Sequence, residues 1–308
     1  MSLAIIAPGG DRTIWLEYFK KADPSLKVEV WPEIEDVNEV TCAMTWKHPL
    51  GGLKRYPNLK LICSMGAGVD HIFRDPDLPS GVPITKVVDK HLSRDMSNYV
   101  INAVINYQRD FIELYQAQEK AQWLTSHRWP KQLSIGIFGM GTLGQDSARK
   151  LTALEFEVHG FSRSKKTVEG VHSYHGSDQL DQFLKAINVL VCMMPLTAAS
   201  RGILNKDLFK KLNHGTYLIN VARGEHIVDE DLIQAIDEGI ISGALLDVFH
   251  EEPLPLSHPF WTKKEIVITP HNASVTDPVS VTDQIVANYR KIETGERFDH
   301  LIDLLSGY

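Results

Sequence analysis

Residues Leu133–Phe138 (LSIGIF) form an apolar run that leads straight into Gly139-Met140-Gly141-Thr142-Leu143-Gly144. The run has the length and composition of a buried strand, and the residues beyond Gly144 are spaced as a helix to about Leu154. A GxGxxG turn between strand and helix constrains the fold more than any other feature of the chain. Its first glycine permits a tight turn. Its second lets backbone approach a pyrophosphate, and its third lets helix and strand pack closely. The helix start then offers unpaired N–H groups and a positive dipole end to an anion. The segment is expected to bind a dinucleotide through Gly139, Met140, Gly141, Thr142, Leu143 and Gly144.

The rest of the chain supplies more units of the same kind. Further strands are expected at Val158–Ser162, Val189–Met193, Tyr217–Val221, Gly243–Val248 and Glu265–Thr269, with room for a helix between them. Before the motif, strands are expected at Leu3–Ala7, Val28–Trp31, Val40–Trp46 and Leu59–Ser64, with Pro8-Gly9-Gly10 closing the first. A helix carries Ile14, Trp15, Leu16, Tyr18 and Phe19. Ser93–Gln122 lacks Pro and Gly and repeats Val100, Val104, Tyr107, Phe111, Leu114 and Tyr115 at helical spacing, which predicts one long helix, with Trp129-Pro130 ending the region. A last helix is expected near Val279–Thr294, returning to the first domain. Strands alternating with helices imply parallel sheets, and 308 residues suit two domains. The boundaries are placed at 1–98 plus 276–308 and at 99–275. The expected architecture is α/β: two doubly wound parallel-sheet domains joined by a hinge, with ligands in the cleft.

Composition removes several classes. Lys and Arg total 32 against 39 Asp and Glu, a net charge of −7 with no basic stripe, so nucleic acid is not an expected partner. No apolar window reaches membrane-spanning length, and the N-terminus lacks the basic region of a signal peptide. Cys42, Cys63 and Cys192 are odd in number and lack a CxxC, which points to a reducing, cytoplasmic setting. His172 and His175 form an HxxH, but no Cys or carboxylate stands at ligand spacing. They read as a solvated loop, and no metal is expected.

The end of the second strand after the motif speaks to the choice of dinucleotide. An NAD site offers Asp or Glu about 20 residues beyond its glycines, to accept from the ribose 2′-OH. Here the chain reads Phe161-Ser162-Arg163-Ser164-Lys165-Lys166, with no carboxylate. Hydroxyls and cations suit a 2′-phosphate, which Arg grips in a planar fork. Ser162, Arg163, Ser164 and Lys165 are therefore expected to favour NADPH, with NADH a poorer substitute.

Three later strand ends carry reactive side chains: Asn220-Val221-Ala222-Arg223-Gly224, Asp247-Val248-Phe249-His250-Glu251-Glu252-Pro253 and Thr269-Pro270-His271-Asn272. Ligands of open α/β sheets sit outside the carboxyl ends of strands. An Arg, a Glu and a His delivered there can serve as anion clamp, orienter and acid/base. Taken singly each has an ordinary reading. Arg223 could be a surface ion pair, Glu252 a helix-initiating carboxylate and Asp247 a strand-end cap, and His271 is one of 13 histidines.

Together with SMGAGVDH (Ser64–His71), GMGTLG, FSRS (Phe161–Ser164), NVARGE, LDVFHEEPLP (Leu246–Pro255), TPHNAS (Thr269–Ser274) and the closing Ser306-Gly307-Tyr308, these motifs span nearly the whole chain. The chain resembles the D-isomer-specific 2-hydroxyacid dehydrogenase family. The resemblance implies a flavodoxin-like substrate domain, a Rossmann NAD(P)-binding domain and a homodimer built on the latter. It implies NADPH-dependent reduction of small 2-keto acids, glyoxylate to glycolate and hydroxypyruvate to D-glycerate. Arg223 would bind the substrate carboxylate and polarise the ketone oxygen, His271 would donate the proton, and Glu252 would hold His271 and favour its charged form. Glu252 is preferred over Glu251 because it directly precedes Pro253. Backbone N–H groups of Gly66, Ala67 and Gly68 would close on the carboxylate, Met65 would shape substrate choice, and Trp46 would wall the pocket unless it is a core residue. Asp247 would orient the cofactor carboxamide, and Pro195, Val221 and Ala222 would line the cofactor. Two alternatives stay open: a reductase of another small 2-keto acid, and an NADPH-binding sensor, whose expected mark is loss of the Arg, Glu and His that are present here.

Overall fold

The computed structural model of the chain describes residues 1–9, 12–125 and 129–303. Gly10 of the first turn and the closing Ser306-Gly307-Tyr308 lie outside the described residues. The chain divides into two compact units, Met1–Leu92 with Val275–Tyr308, and Ser93–Ser274.

The first unit contains β1 (Ser2–Ile6), α1 (Thr13–Ala22), β2 (Val28–Val30), β3 (Val40–Thr45), β4 (Leu61–Ser64), α2 (Asp70–Phe73) and β5 (Ile84–Thr85). The strands form one sheet in the order β2-β1-β3-β4-β5, and every pair is parallel. This is the flavodoxin-like order. β1, β3 and β4 are buried along their whole length, as strands covered on both faces must be. β5, only two residues long, escapes a reading by periodicity.

The second unit begins within α3 (Lys90–Gln108) and includes α4 (Phe111–Glu119). Its core elements are β6 (Ser134–Phe138), α5 (Thr142–Ala153), β7 (Glu157–Ser162), β8 (Val171–His175), α6 (Leu180–Lys185), β9 (Val189–Cys192), α7 (Lys206–Phe209), β10 (Thr216–Asn220), α8 (Asp229–Asp237), β11 (Ile241–Leu246) and β12 (Ile266–Ile268). All pairs in the sheet β12-β11-β10-β9-β6-β7-β8 are parallel. Strand order reverses between β6 and β9, and the glycine turn follows β6 at that switch point. Side chains alternate between two cores. Val189, Val191, Tyr217 and Ile219 fill one, while Leu190, Cys192 and Leu218 fill the other.

α9 (Pro278–Thr294) belongs to the first unit, where Val281, Ile285 and Tyr289 join Leu3, Ile5, Trp15 and Phe19 in one core. Its sequence sets its ends. The Asp277 carboxylate accepts from Val279 N–H at 2.9 Å, Pro278 opens the first turn, and Gly295 stops the helix in a left-handed conformation.

Two sequence expectations need correction. The single helix over Ser93–Gln122 is two helices, because Asp110 adopts a left-handed backbone (φ 55°) between α3 and α4. Lys131 ties this break, donating to Tyr107 O at 3.0 Å and pairing with the Asp110 carboxylate. Apolar spacing continues across one such residue and so hides the break. The HxxH of His172 and His175 is not a loop but part of edge strand β8. A spacing of three, which a helix brings to one face, sends strand side chains to opposite faces. His172 instead stacks on His159, ring centroids 4.9 Å apart. Among the described residues no helix is long and apolar enough to cross a membrane.

Candidate functional site

The glycine turn is shaped by close backbone approach. A side chain at Gly144 would place its Cβ 2.0 Å from Gly139 O, and Gly139 sits at φ 123° against the backbone of Met193. Beside Gly141, by contrast, there is open space within 4 Å, and no side chain caps the start of α5. That pattern suits a pyrophosphate over the first N–H groups of the helix. Gly141 and Thr142 are exposed, whereas the side chain of Met140 is buried in the core and Leu143 packs against it. Those two contribute backbone to the turn. At the end of β7, Ser162 donates to Ser164 O at 2.7 Å, and Arg163, Ser164 and Lys165 are exposed. Pro195, exposed, follows β9, and Val221 and Ala222, buried, follow β10. The residues present therefore fit a phosphorylated dinucleotide along the carboxyl ends of β6, β7, β9 and β10.

The reactive side chains come from the adjoining strand ends. His271 Nδ1 lies 2.8 and 3.0 Å from the two oxygens of Glu252, and Glu252 Oε1 also accepts from Phe249 N–H at 3.1 Å. Glu251 is exposed, so Glu252 is the carboxylate in contact. Accepting from Nδ1–H leaves the imidazole's other nitrogen, Nε2, as the atom that can meet a ligand. Both side chains keep partial exposure, 29% for His271 and 20% for Glu252, so the pair is accessible.

His271 also holds a left-handed backbone (φ 54°), uncommon for a residue with a Cβ. Asp247 braces it. Its buried carboxylate accepts from Thr269 Oγ1 at 2.6 Å, from Asn272 N–H at 3.0 Å and from Ala273 N–H at 2.9 Å. Tyr99 of α3 hydrogen-bonds Thr269 in turn, and burial pushes its phenol up to about 12. The contacts of Asp247 are thus those of a strand-end brace for the loop that carries His271.

Arg223 follows β10, next to β11. Its Nη1 donates to Ala222 O at 2.6 Å, and Asn220 fixes the turn through Arg223 O at 2.9 Å and Ala222 N–H at 3.1 Å. Gly224 brings this loop against the one carrying Glu252, since an added Cβ would lie 2.0 Å from the backbone carbon of Phe249. His226 buttresses the loop from beneath. It is fully buried, its Nδ1 accepts from Arg223 N–H at 3.2 Å, and its Nε2 reaches Pro195 O at 3.3 Å. Burial lowers its pKa. Thr269 stands in the sequence only as the first residue of the His271 motif, and His226 and Tyr99 stand out in no motif, because their roles lie in contacts to backbone or to each other.

In the first unit, Ser64–Val69 turns from β4 into α2. Gly66 N–H donates to Ser64 Oγ at 3.2 Å, so that donor is already used, while Ala67 and Gly68 have no N–H acceptor within the chain among the described residues. Met65 packs against the core. Trp46, half-buried at the end of β3, lays its ring on Gly66, where a Cβ would meet a ring carbon at 3.1 Å.

The fold and this constellation define a class. The model of the D-isomer specific 2-hydroxyacid dehydrogenase NAD-binding domain matches residues 101–273, and the chain belongs to that family. A glyoxylate/hydroxypyruvate reductase A of Serratia proteamaculans is 38% identical over 315 residues, covering 100% of each chain. Among solved structures, a D-isomer specific 2-hydroxyacid dehydrogenase from Xanthobacter autotrophicus Py2, in complex with NADPH and MES, superposes with a TM-score of 0.93 at 36% identity, over 100% of this chain and 99% of that one. An NADPH-dependent glyoxylate/hydroxypyruvate reductase from Sinorhizobium meliloti, in complex with NADP and sulfate, gives a TM-score of 0.93 at 33% identity over 100% of both chains.

Proposed function

We propose that the protein is an NADPH-dependent reductase of glyoxylate and hydroxypyruvate, forming glycolate and D-glycerate. The observation that carries this reading is the His271–Glu252 pair, with Nδ1 taken by the carboxylate, beside the loop of Arg223. When bound, NADPH supplies the hydride for the keto carbon. His271 Nε2 gives its proton to the carbonyl oxygen, so the product gains one hydride and one proton. Arg223 binds the carboxylate and polarises the ketone oxygen. Glu252 keeps the imidazole oriented, and Asp247 keeps its loop in place. Ala67 and Gly68 offer N–H groups to the carboxylate, and Trp46 restricts the length of the acid. Arg163, Lys165 and the two serines select NADPH through its 2′-phosphate.

Two wider features belong to the same reading. The protein acts as a homodimer built on the second unit, where Tyr115, Trp123 and Trp129 stand more than half exposed, an apolar surface a second copy would cover. Its three free, buried cysteines suit a reducing cytoplasm.

The test is loss of NADPH absorbance with glyoxylate and with hydroxypyruvate, each repeated with NADH. Fast turnover with NADPH and slow turnover with NADH is expected. NADPH binding without turnover of either acid would move the substrate to a bulkier keto acid. In Arg163→Ala the NADPH/NADH ratio of kcat/KM is expected to fall about tenfold. An unchanged ratio would defeat the phosphate-clamp role.

A further inference from the structure

His71 lies in α2, buried, and touches both segments of the first unit that the functional reading uses. Its Nδ1 accepts from Lys47 N–H at 3.2 Å, and its Nε2 stands 3.1 Å from Ser64 Oγ. The ring also packs on Trp46, centroids 4.5 Å apart. The donors can be ordered along this chain of contacts. Lys47 N–H can only donate, so Nδ1 carries the lone pair and the proton sits on Nε2. Nε2–H therefore donates to Ser64 Oγ. The Ser64 hydroxyl donates in turn to Gly68 O at 2.7 Å, and Oγ takes a second donor, Gly66 N–H, at 3.2 Å. Every bond in the set has one donor and one acceptor.

We propose that His71, acting through Ser64, is a positioning residue that fixes the Gly66–Gly68 loop against Trp46 and so sets affinity for the carboxylate of the 2-keto acid. The proposal rests on the carboxylate-binding role given to Ala67 and Gly68 above. Its physical basis is that Gly66 and Gly68 bring no side chain to restrict their loop, so its shape must be imposed from outside. Ser64 Oγ grips the loop at both glycines. His71 orients that hydroxyl by occupying one of its acceptor sites, which leaves its proton for Gly68 O. The same imidazole accepts from Lys47, whose backbone is left-handed (φ 49°), and thereby sets the path of the chain just after Trp46. One buried, uncharged side chain thus registers the wall and the anion loop to each other. Preset donors bind an anion without first being ordered.

The experiment compares wild type with His71→Phe, His71→Gln and Ser64→Ala. His71→Phe keeps a ring against Trp46 but loses both hydrogen bonds, His71→Gln keeps an N–H donor, and Ser64→Ala removes one buried oxygen. In His71→Phe and Ser64→Ala the KM for the keto acid is expected to rise about tenfold, with kcat within about threefold of wild type and KM for NADPH unchanged. His71→Gln is expected to recover most of the loss. Calorimetric binding of oxalate, a planar two-carbon dicarboxylate, should weaken in parallel in the presence of NADPH. Unchanged keto-acid KM and oxalate affinity in Ser64→Ala overturn the proposal, as does an equal rise in KM for NADPH. If His71→Phe does not fold, Ser64→Ala decides. Absence of turnover in wild type would defeat the functional reading instead, and oxalate binding to wild type and Ser64→Ala would still report on the loop.

Discussion

The Arg223–Glu252–His271 cluster of the second unit and the Trp46–Ser64–His71 cluster of the first both stand at the carboxyl ends of parallel strands, yet they are held by different means. In the second unit the braces of His271 are carboxylates. Glu252 holds the imidazole, and Asp247 holds the loop that carries it, in a backbone conformation that costs energy for a residue with a Cβ. In the first unit the contacts between Lys47, His71, Ser64, Gly66 and Gly68 are neutral hydrogen bonds. The difference follows from the tasks proposed for them. A proton donor must change charge during turnover, so a fixed opposite charge beside it is useful. A recognition loop needs only to keep its donors in place. Damage to the second unit's cluster should therefore appear in kcat and damage to the first unit's cluster in KM.

The largest effect is expected from His271→Ala. Loss of the proton donor should lower kcat by about 10²–10⁴-fold, while NADPH still binds, which fluorescence titration would read. Retained turnover would place the donor elsewhere and remove the contrast between the clusters. Arg223→Ala should come next, with KM for the keto acid raised and kcat lowered together, because one guanidinium serves ground state and transition state alike. Near-normal kinetics would take Arg223 out of the site.

Two glycine substitutions sharpen the comparison at the level of backbone. In Gly224→Ala the new Cβ would lie 2.0 Å from the backbone of Phe249, so the Arg223 loop must move away from the loop of Glu252. A stability loss of about 1–3 kcal/mol is expected, with a fall in kcat. Gly141→Ala meets open space at an ordinary φ of −74°. It should unfold almost as wild type does, while KM for NADPH rises because the methyl group occupies the pyrophosphate's place. Equal unfolding midpoints for the two variants would defeat the close-packing argument at Gly224.

What could be read beforehand follows the same division. Strand cores such as Val189–Cys192 are continuous apolar runs and were legible, as was the glycine turn, whose spacing is a direct record of backbone geometry. Arg223, Glu252 and His271 were legible only as a set, since each alone has a commoner role. The kink at Asp110 and the edge strand β8 were not. One left-handed residue does not interrupt apolar spacing, and VHSYH, a half-exposed edge strand, lacks a buried strand's composition. Ser64 and His71 lie within SMGAGVDH, but the donor order of His71 depends on Lys47, which follows another strand. Contacts made to backbone leave no pattern in side-chain identity. The same holds for His226, while Tyr99 meets its side-chain partner Thr269 across 170 residues of chain.

The smallest expected effect tests whether the clusters also differ in acid. Each unit holds a buried histidine near its cluster, His226 beneath Arg223 and His48 two residues beyond Trp46. Burial lowers the pKa of both, against opposing pulls from the carbonyls of Pro195 and Arg223 on His226 and from Asp75 on His48. A lowered folded-state value means that the native state keeps these rings neutral while the unfolded chain protonates them at about pH 6.5. Above that pH neither state binds the proton and full stability is present. As pH falls through about 6.5 toward the folded values, the unfolded state is favoured by about 1.4 kcal/mol for each unit of separation. The unfolding midpoint should therefore drop between pH 7.5 and pH 5, by about 2–4 °C per kcal/mol in a domain of this size. His226→Gln and His48→Gln should each flatten part of that slope, by thermal melts at both pH values. A wild-type midpoint that does not fall in acid would mean that both rings protonate within the fold. A slope flattened by His226→Gln alone would place the acid-sensitive group in the unit that holds His271, and would extend the charge difference between the clusters to their stability.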